Sequence, residues 1–164
     1  MSMDTGSSDI FIKGENSTGV PEKKYQSGED YMKLDQVFIG YLDGYLSCYV
    51  KTLEVELNGI KINTPLLVAY ENDDNFDDQD GLIGLSYPSL ARHKPTFIQT
   101  LIDNKVISRY AYGMNLNLIQ DGRSFITFGD SDPTLFTGDL KEYKILGGST
   151  ITIYMDWIKV GDSD

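Results

Sequence analysis

The sequence predicts a mainly β protein with one or two short helices, and three observations carry that expectation. Eleven Tyr, seven Phe and sixteen Gly in 164 residues favour pleated strands joined by tight turns. Short apolar runs recur between Gly, Asn and Asp turn residues at hairpin spacing. Only the stretch after Pro95 places apolar side chains at helical spacing.

The chain opens with Met3, then Asp4-Thr5-Gly6-Ser7-Ser8-Asp9, then the strand residues Ile10, Phe11 and Ile12. Gly6 permits a turn that a Cβ would forbid, and Thr5 and Ser7 can donate hydrogen bonds to a neighbouring carboxylate. Asp4 is thereby left as an ionisable group on a tight turn between rigid strands, the makings of a catalytic loop. The plain alternative is an Asx or Ser/Thr turn that only joins two strands. The entering strand has at most three residues, so the chain is expected to begin inside an element.

Residues 13–30 are polar and rich in Gly and Ser, which predicts a surface loop. Within it, Asn16-Ser17-Thr18 is a glycosylation acceptor if the protein enters a secretory route. From Tyr31 to Tyr70 the pattern is strand, turn, strand, turn, strand. Val37-Phe38-Ile39 leads to Asp43-Gly44, and Val50 to Leu57 alternates towards Asn58-Gly59, both dipeptides favoured in tight hairpins. The acidic run from Glu71 to Asp80 lacks the alternating ligands and central glycine of a calcium loop, so a solvated loop is expected. Asp80-Gly81-Leu82-Ile83-Gly84-Leu85 has the character of a buried strand whose glycines admit a close backbone neighbour.

Pro95 is expected to open a helix that buries Phe97, Ile98, Leu101 and Ile102, with Asn104 near its end. Strands are then predicted over 110–119 and 124–128, with a turn at Gln120-Asp121-Gly122. Two further strands are predicted over 139–145 and 151–160. The last residues resemble a hairpin turn with no returning strand, so an incomplete carboxyl end is expected as well.

Composition narrows the function classes. Fourteen Lys and Arg against 25 Asp and Glu give a net charge of −11, which disfavours nucleic acid because such affinity comes from neutralising phosphates. No apolar run is long enough to form a membrane-spanning helix. Cys48 is the single cysteine, expected to be a small packed residue, so no intrachain disulfide or thiolate metal site can form. His93 is the single histidine, expected to be solvated, and leaves little for a Ser-His-Asp or Cys-His mechanism. An acidic surface loses self-repulsion as its carboxylates protonate, which points towards acid tolerance.

Together these residues resemble the amino-terminal lobe of the pepsin-like aspartic endopeptidases. The matching pieces are Asp4-Thr5-Gly6-Ser7-Ser8 with Asp9-Ile10-Phe11-Ile12, then Tyr41 with Asp43-Gly44, then Asp80-Gly81-Leu82-Ile83-Gly84-Leu85-Ser86-Tyr87-Pro88-Ser89. Phe97 and Leu101 of the helix follow, then Phe128-Gly129-Asp130 and Phe136-Thr137-Gly138-Asp139-Leu140. The resemblance spans essentially the whole chain, and its most specific parts are the aspartate loop and the Asp-Gly-Leu-Ile-Gly segment. It implies an acid protease lobe of antiparallel sheets and a partial barrel over residues 1–164, with the carboxy-terminal lobe outside this chain.

The resemblance also implies roles. Asp4 would be one of two aspartates sharing a water, Ser7 would bond its outer oxygen, and Thr5 would join the network that ties the two catalytic loops. Gly6 would let the loop turn, with Leu82, Ile83 and Gly84 passing behind it as backing. Tyr41 would sit on a hairpin that closes over a peptide, with Asp43 and Gly44 near its tip. The implied partners are polypeptide substrates and the carboxy-terminal lobe, with no cofactor and no metal, in a lysosome, vacuole or secreted fluid.

The sequence departs from the pattern in several places. No second Asp-Thr-Gly or Asp-Ser-Gly is present, so the partner aspartate lies beyond Asp164, on a second copy of the chain, or nowhere. Leu42 and Cys48 stand where glycine is common, and the cysteine pair of many relatives is missing. The alternative reading is a noncatalytic, peptide-binding or inhibitor-like relative that kept the lobe without the aspartate pair.

Overall fold

The computed structural model describes residues 1–19, 24–28, 30–42, 44–73, 76, 78–117 and 123–161. Among them run β1 (Ser2–Asp4), β2 (Ile10–Lys13), β3 (Gln36–Gly40), β4 (Tyr45–Leu57), β5 (Ile60–Asn72) and β6 (Gly81–Gly84). The helix α1 (Phe97–Asp103) follows, and then β7 (Tyr112–Asn115) and β8 (Phe125–Phe128). The mainly β expectation therefore matches the observed architecture.

The first six strands form one sheet in the order β1-β6-β2-β5-β4-β3, and β7 pairs with β8 in a second, two-stranded sheet. The larger sheet contains the expected antiparallel pairs, β2 with β6, β3 with β4 and β4 with β5, together with two parallel ones: β1 with β6, and β2 with β5. The cause is the path of the chain. Strand β6 returns between β1 and β2, which run in opposite directions, so it must be parallel to one and antiparallel to the other.

The long pair β4 and β5 stays in register from Leu57 opposite Ile60 to Leu46 opposite Asn72, with one irregularity between Ser47 and Cys48. Asn58 and Gly59 make its turn with φ of 49° and 83°, the double left-handed conformation that this dipeptide adopts most cheaply.

Sheet residues are buried on both faces, so the core is two-layered. Ile10, Val68 and Ile83 pack with Phe97, Ile98 and Leu101 of α1 on one side. Their chain neighbours Phe11, Leu67 and Leu82 face the other way and pack with Ile39, Leu46 and Phe76. This alternation explains the unbroken apolar runs Ile10-Phe11-Ile12 in β2, Leu66-Leu67-Val68-Ala69 in β5 and Leu82-Ile83 in β6.

Helix α1 starts at Phe97, two residues later than the Pro95 signal implies. Thr96 is its cap, accepting from the Gln99 amide at 3.3 Å, and the Asn104 amide closes the far end on the Thr100 carbonyl at 3.0 Å. No helix among the described residues is long and apolar enough to cross a membrane.

Two sequence expectations fail beyond β8. Residues 139–145 and 151–160 form no strands; a single bridge between Ile145 and Ile153 and a 2.8 Å bond from the Leu146 amide to the Thr152 carbonyl are what joins them. All residues from 136 to 161 are exposed, Trp157 at 75%. Alternating Ile151-Thr152-Ile153-Tyr154-Met155 suits a half-buried pleated surface, but among the described residues no neighbouring strand supplies the ladder or the cover. Of the predicted strand over 110–119, residues 112–115 form β7; residues 118 and 119 and the predicted turn at Gln120-Asp121-Gly122 lie outside the described residues.

Candidate active site

Asp4 is the last residue of β1, so its side chain stands where the strand breaks into the turn. The Gly6 amide donates to Asp4 Oδ1 at 2.8 Å, and the Ser7 hydroxyl donates to Oδ2 at 2.5 Å. Each carboxylate oxygen is thus fixed by one short local bond, which sets the orientation of the group before any ligand arrives.

The turn is clamped by the β6 segment. In register, Ser2, Met3 and Asp4 lie opposite Leu82, Ile83 and Gly84. Amides of Gly84, Leu85 and Ser86 donate to the carbonyls of Asp9, Asp4 and Ser7, each at 2.8 Å. From the other side, the Ser8 hydroxyl donates to the Tyr87 carbonyl at 2.7 Å. A Cβ on Gly84 would sit 2.6 Å from the Ser8 backbone, closer than real contacts allow, so only glycine lets β6 back the loop this tightly. Leu82, Ile83 and Gly84 thus run alongside β1 and its turn, and Thr5 is exposed at the head of the turn.

Strands β3 and β4 form the hairpin expected to carry Tyr41. Its tip is closed by the Tyr41 amide donating to the Gly44 carbonyl at 2.7 Å, and next to it the Tyr45 amide donates to Asp73 Oδ2 at 3.0 Å. Asp43 lies outside the described residues. The Tyr41 ring packs against Phe76 with centroids 5.2 Å apart, and this anchors the tyrosine to the core instead of leaving it in solvent. Burial, reinforced by the negative charge of Asp9, Cys48 and Asp4, holds its phenol well above the usual range. Ser7 favours the phenolate but commits its hydroxyl to Asp4, and the Tyr41 hydroxyl, itself buried, makes no hydrogen bond of good geometry.

Between loop and hairpin lies a pocket of about 250 Å³, lined by Gly6, Ser7, Tyr41, Leu42 and Leu90 among others. The structure thus gathers Gly6, Ser7 and Tyr41 around one cavity beside Asp4. A larger opening of about 840 Å³, near Val106, Arg109 and Phe128, contains none of the site residues expected from sequence.

Asp9 also lines the pocket, and the sequence reading assigned it no role. Its Oδ1 accepts from the Arg92 and His93 amides at 2.9 and 3.1 Å, and Oδ2 from the Arg92 amide at 3.1 Å. The one clue was an acidic residue at the head of an apolar strand. His93, expected to be solvated, is half-buried because its backbone is drawn in by Asp9, and its Nδ1 has no partner. Cys48 is buried as expected; burial first and Asp9 second push its thiol up to about 12. Asn16 is exposed, its amide group 3.3 Å from the Tyr31 hydroxyl. Among the described residues no three His, Cys, Asp or Glu side chains converge to hold a metal ion.

Fold and site define a class: a β lobe that presents one aspartate on a clamped turn beneath a β-hairpin. The profile of the family described as Eukaryotic aspartyl protease matches residues 1–164, so the chain belongs to that family. It is 26% identical over 156 residues to a probable aspartic-type endopeptidase CTSD of Arthroderma otae, covering 89% of this chain and 41% of that protein. It is 28% identical over 155 residues to vacuolar protease A of the same organism, covering 84% of this chain and 38% of that protein. Against cathepsin E of Cavia porcellus the identity is 37% over 87 residues, 51% of this chain and 22% of that protein. The chain thus spans less than half the length of these relatives.

Proposed function

We propose that the parent protein is an aspartic-type endopeptidase that hydrolyses internal peptide bonds of extended polypeptides, with Asp4 as one of its two catalytic carboxyl groups. The observation that carries this reading is the fixing of both Asp4 oxygens by Gly6 and Ser7, on a turn clamped by β6 and facing a hairpin-covered pocket. Family membership and the names of the relatives support it.

The chemistry needs two carboxyl groups at once. One, ionised, takes a proton from water as the water oxygen attacks the carbonyl carbon, and the other, protonated, gives its proton to the carbonyl oxygen. Collapse of the tetrahedral adduct then breaks the C–N bond and passes a proton to the leaving nitrogen. Two close carboxyls sharing one proton supply both forms together, the logic the pepsin pair illustrates.

Asp9 is not assigned as the second member, because the Arg92 and His93 amides hold its carboxylate towards the 92–93 segment. The partner aspartate is assigned to a carboxy-terminal lobe in the rest of the parent protein, and residues 1–164 to the amino-terminal lobe. The uncovered apolar side chains of 136–161, including Leu140, Ile151 and Trp157, support a second lobe that packs on them. In this reading Ser7 orients Asp4, Thr5 ties the two catalytic loops, and Leu82, Ile83 and Gly84 back the loop. Tyr41, Asp43 and Gly44 belong to the hairpin that closes on substrate. Relatives named vacuolar protease A support an acidic vacuolar, lysosomal or secreted setting, in which exposed Asn16 is a glycosylation candidate.

The test is proteolysis of a denatured protein substrate at acid pH by the full-length gene product, with and without a statine-type peptide that mimics the tetrahedral adduct. Cleavage blocked by that peptide supports the reading. Absence of cleavage leaves the peptide-binding, noncatalytic alternative.

A further inference from the structure

We infer that the pocket beside the Asp4 loop selects a basic substrate side chain, lysine or arginine, through the buried carboxylate of Asp9. This rests on the endopeptidase reading and names its substrate preference. The volume of about 250 Å³ falls just below the range of roughly 300–1,000 Å³ for whole-ligand pockets, so it suits one long side chain and not a separate small molecule.

Asp9 is 7% exposed, and among the described residues no cation lies within ion-pair distance of it. Backbone amides satisfy it only in part. Oδ1 takes two N–H bonds and Oδ2 one, whereas a carboxylate offers about four acceptor positions. One position on Oδ2 is therefore left for a donor entering from the pocket.

Tyr41 also lines the pocket, and its buried hydroxyl, which makes no hydrogen bond of good geometry, supplies a second acceptor. An unsatisfied buried hydroxyl is costly, and an incoming ammonium or guanidinium would satisfy it and Asp9 together. Ile39 and the Tyr41 ring provide the apolar wall along which the methylene stem of lysine or arginine would lie.

Arg92 lines the same pocket and sets the competing possibility, an acidic side chain. It is exposed, so its charge is spread into water, whereas the charge of Asp9 acts across a buried, low-dielectric wall. The buried carboxylate therefore decides the sign of the preference.

The experiment profiles cleavage by the full-length gene product of a peptide library around a fixed scissile pair, at about pH 6 where carboxylates are ordinarily ionised. Each flanking position carries Lys, Arg, norleucine or Glu in turn. The expected result is an enrichment of Lys or Arg over norleucine of about tenfold at one position next to the scissile pair, falling towards unity in Asp9→Asn. Arg92→Gln should leave that ratio equal or higher.

No basic enrichment in the unaltered protein overturns the inference, whether or not Asp9→Asn folds. So does enrichment that survives Asp9→Asn, or a preference for Glu that Arg92→Gln removes. Cleavage without basic preference overturns this inference alone, whereas no cleavage of any peptide overturns the endopeptidase reading beneath it.

Discussion

In the proposed reaction Ser7 governs the geometry of Asp4, since its hydroxyl holds Oδ2 at 2.5 Å while the Gly6 amide holds Oδ1. A hydrogen bond to a charged group contributes about 1.5–3 kcal/mol, so Ser7→Ala should lower kcat by roughly ten- to a hundredfold while KM changes little. Steady-state kinetics on a peptide substrate would check this. Cys48 offers an independent test of the local electrostatics. Its thiol is raised from 9.0 to about 12 by burial and by Asp9, so the folded protein keeps a proton that the unfolded chain gives up. Stability tied to that proton is complete below about pH 9 and is lost as pH rises towards 12, at up to about 1.4 kcal/mol per pH unit. Denaturant titrations should show this alkaline slope, and Cys48→Ala should flatten it. Asp4, Gly6 and Ser7 could be singled out in the sequence because their chemistry is local. Asp9 could not, because its partners Arg92 and His93 lie 83 and 84 residues away. Lys13 shows the same limit: it was expected to open the surface loop 13–30, yet it ends β2, is 1% exposed, and its ammonium donates to the Thr18 carbonyl at 2.8 Å.

Strand β6 depends on Gly84 for its close approach to the Asp4 loop. With a Cβ 2.6 Å from the Ser8 backbone, Gly84→Ala should cost about 1–3 kcal/mol of stability and loosen the turn that carries Asp4. Denaturant unfolding measures the first effect and loss of peptidase activity the second. Helix α1 has a different dependence. Leu101 is 1% exposed against the sheet, and Leu101→Ala should destabilise by about 2–5 kcal/mol through the cavity it leaves. Both elements were legible because β6 has a glycine-punctuated buried pattern and α1 a single apolar face. The β4–β5 hairpin was legible from Asn58-Gly59. The parallel contacts of β1 with β6 and β2 with β5 were not, since pairing partners so distant in sequence leave no local signature.

Across the molecule, the largest mismatch between pattern and structure is the run from 136 to 161, whose strand-like alternation finds no sheet and stays exposed. A strand pattern specifies two faces and an edge, not the chain that must cover them, which is why sequence periodicity overreached here. The same exposure is what the proposed bilobal enzyme explains: the apolar side chains await a second lobe, and Asp4 awaits a second carboxyl group. The claim at the centre of this account is that Asp4 works as half of that pair. Its most direct test is the rate of peptide-bond cleavage at acid pH by the full-length gene product against its Asp4→Asn variant, with folding of both verified by thermal unfolding. The account predicts that the variant folds and loses at least about a hundredfold in rate, as expected when a group that moves the reacting proton is removed. A folded variant that cleaves at an undiminished rate would contradict it.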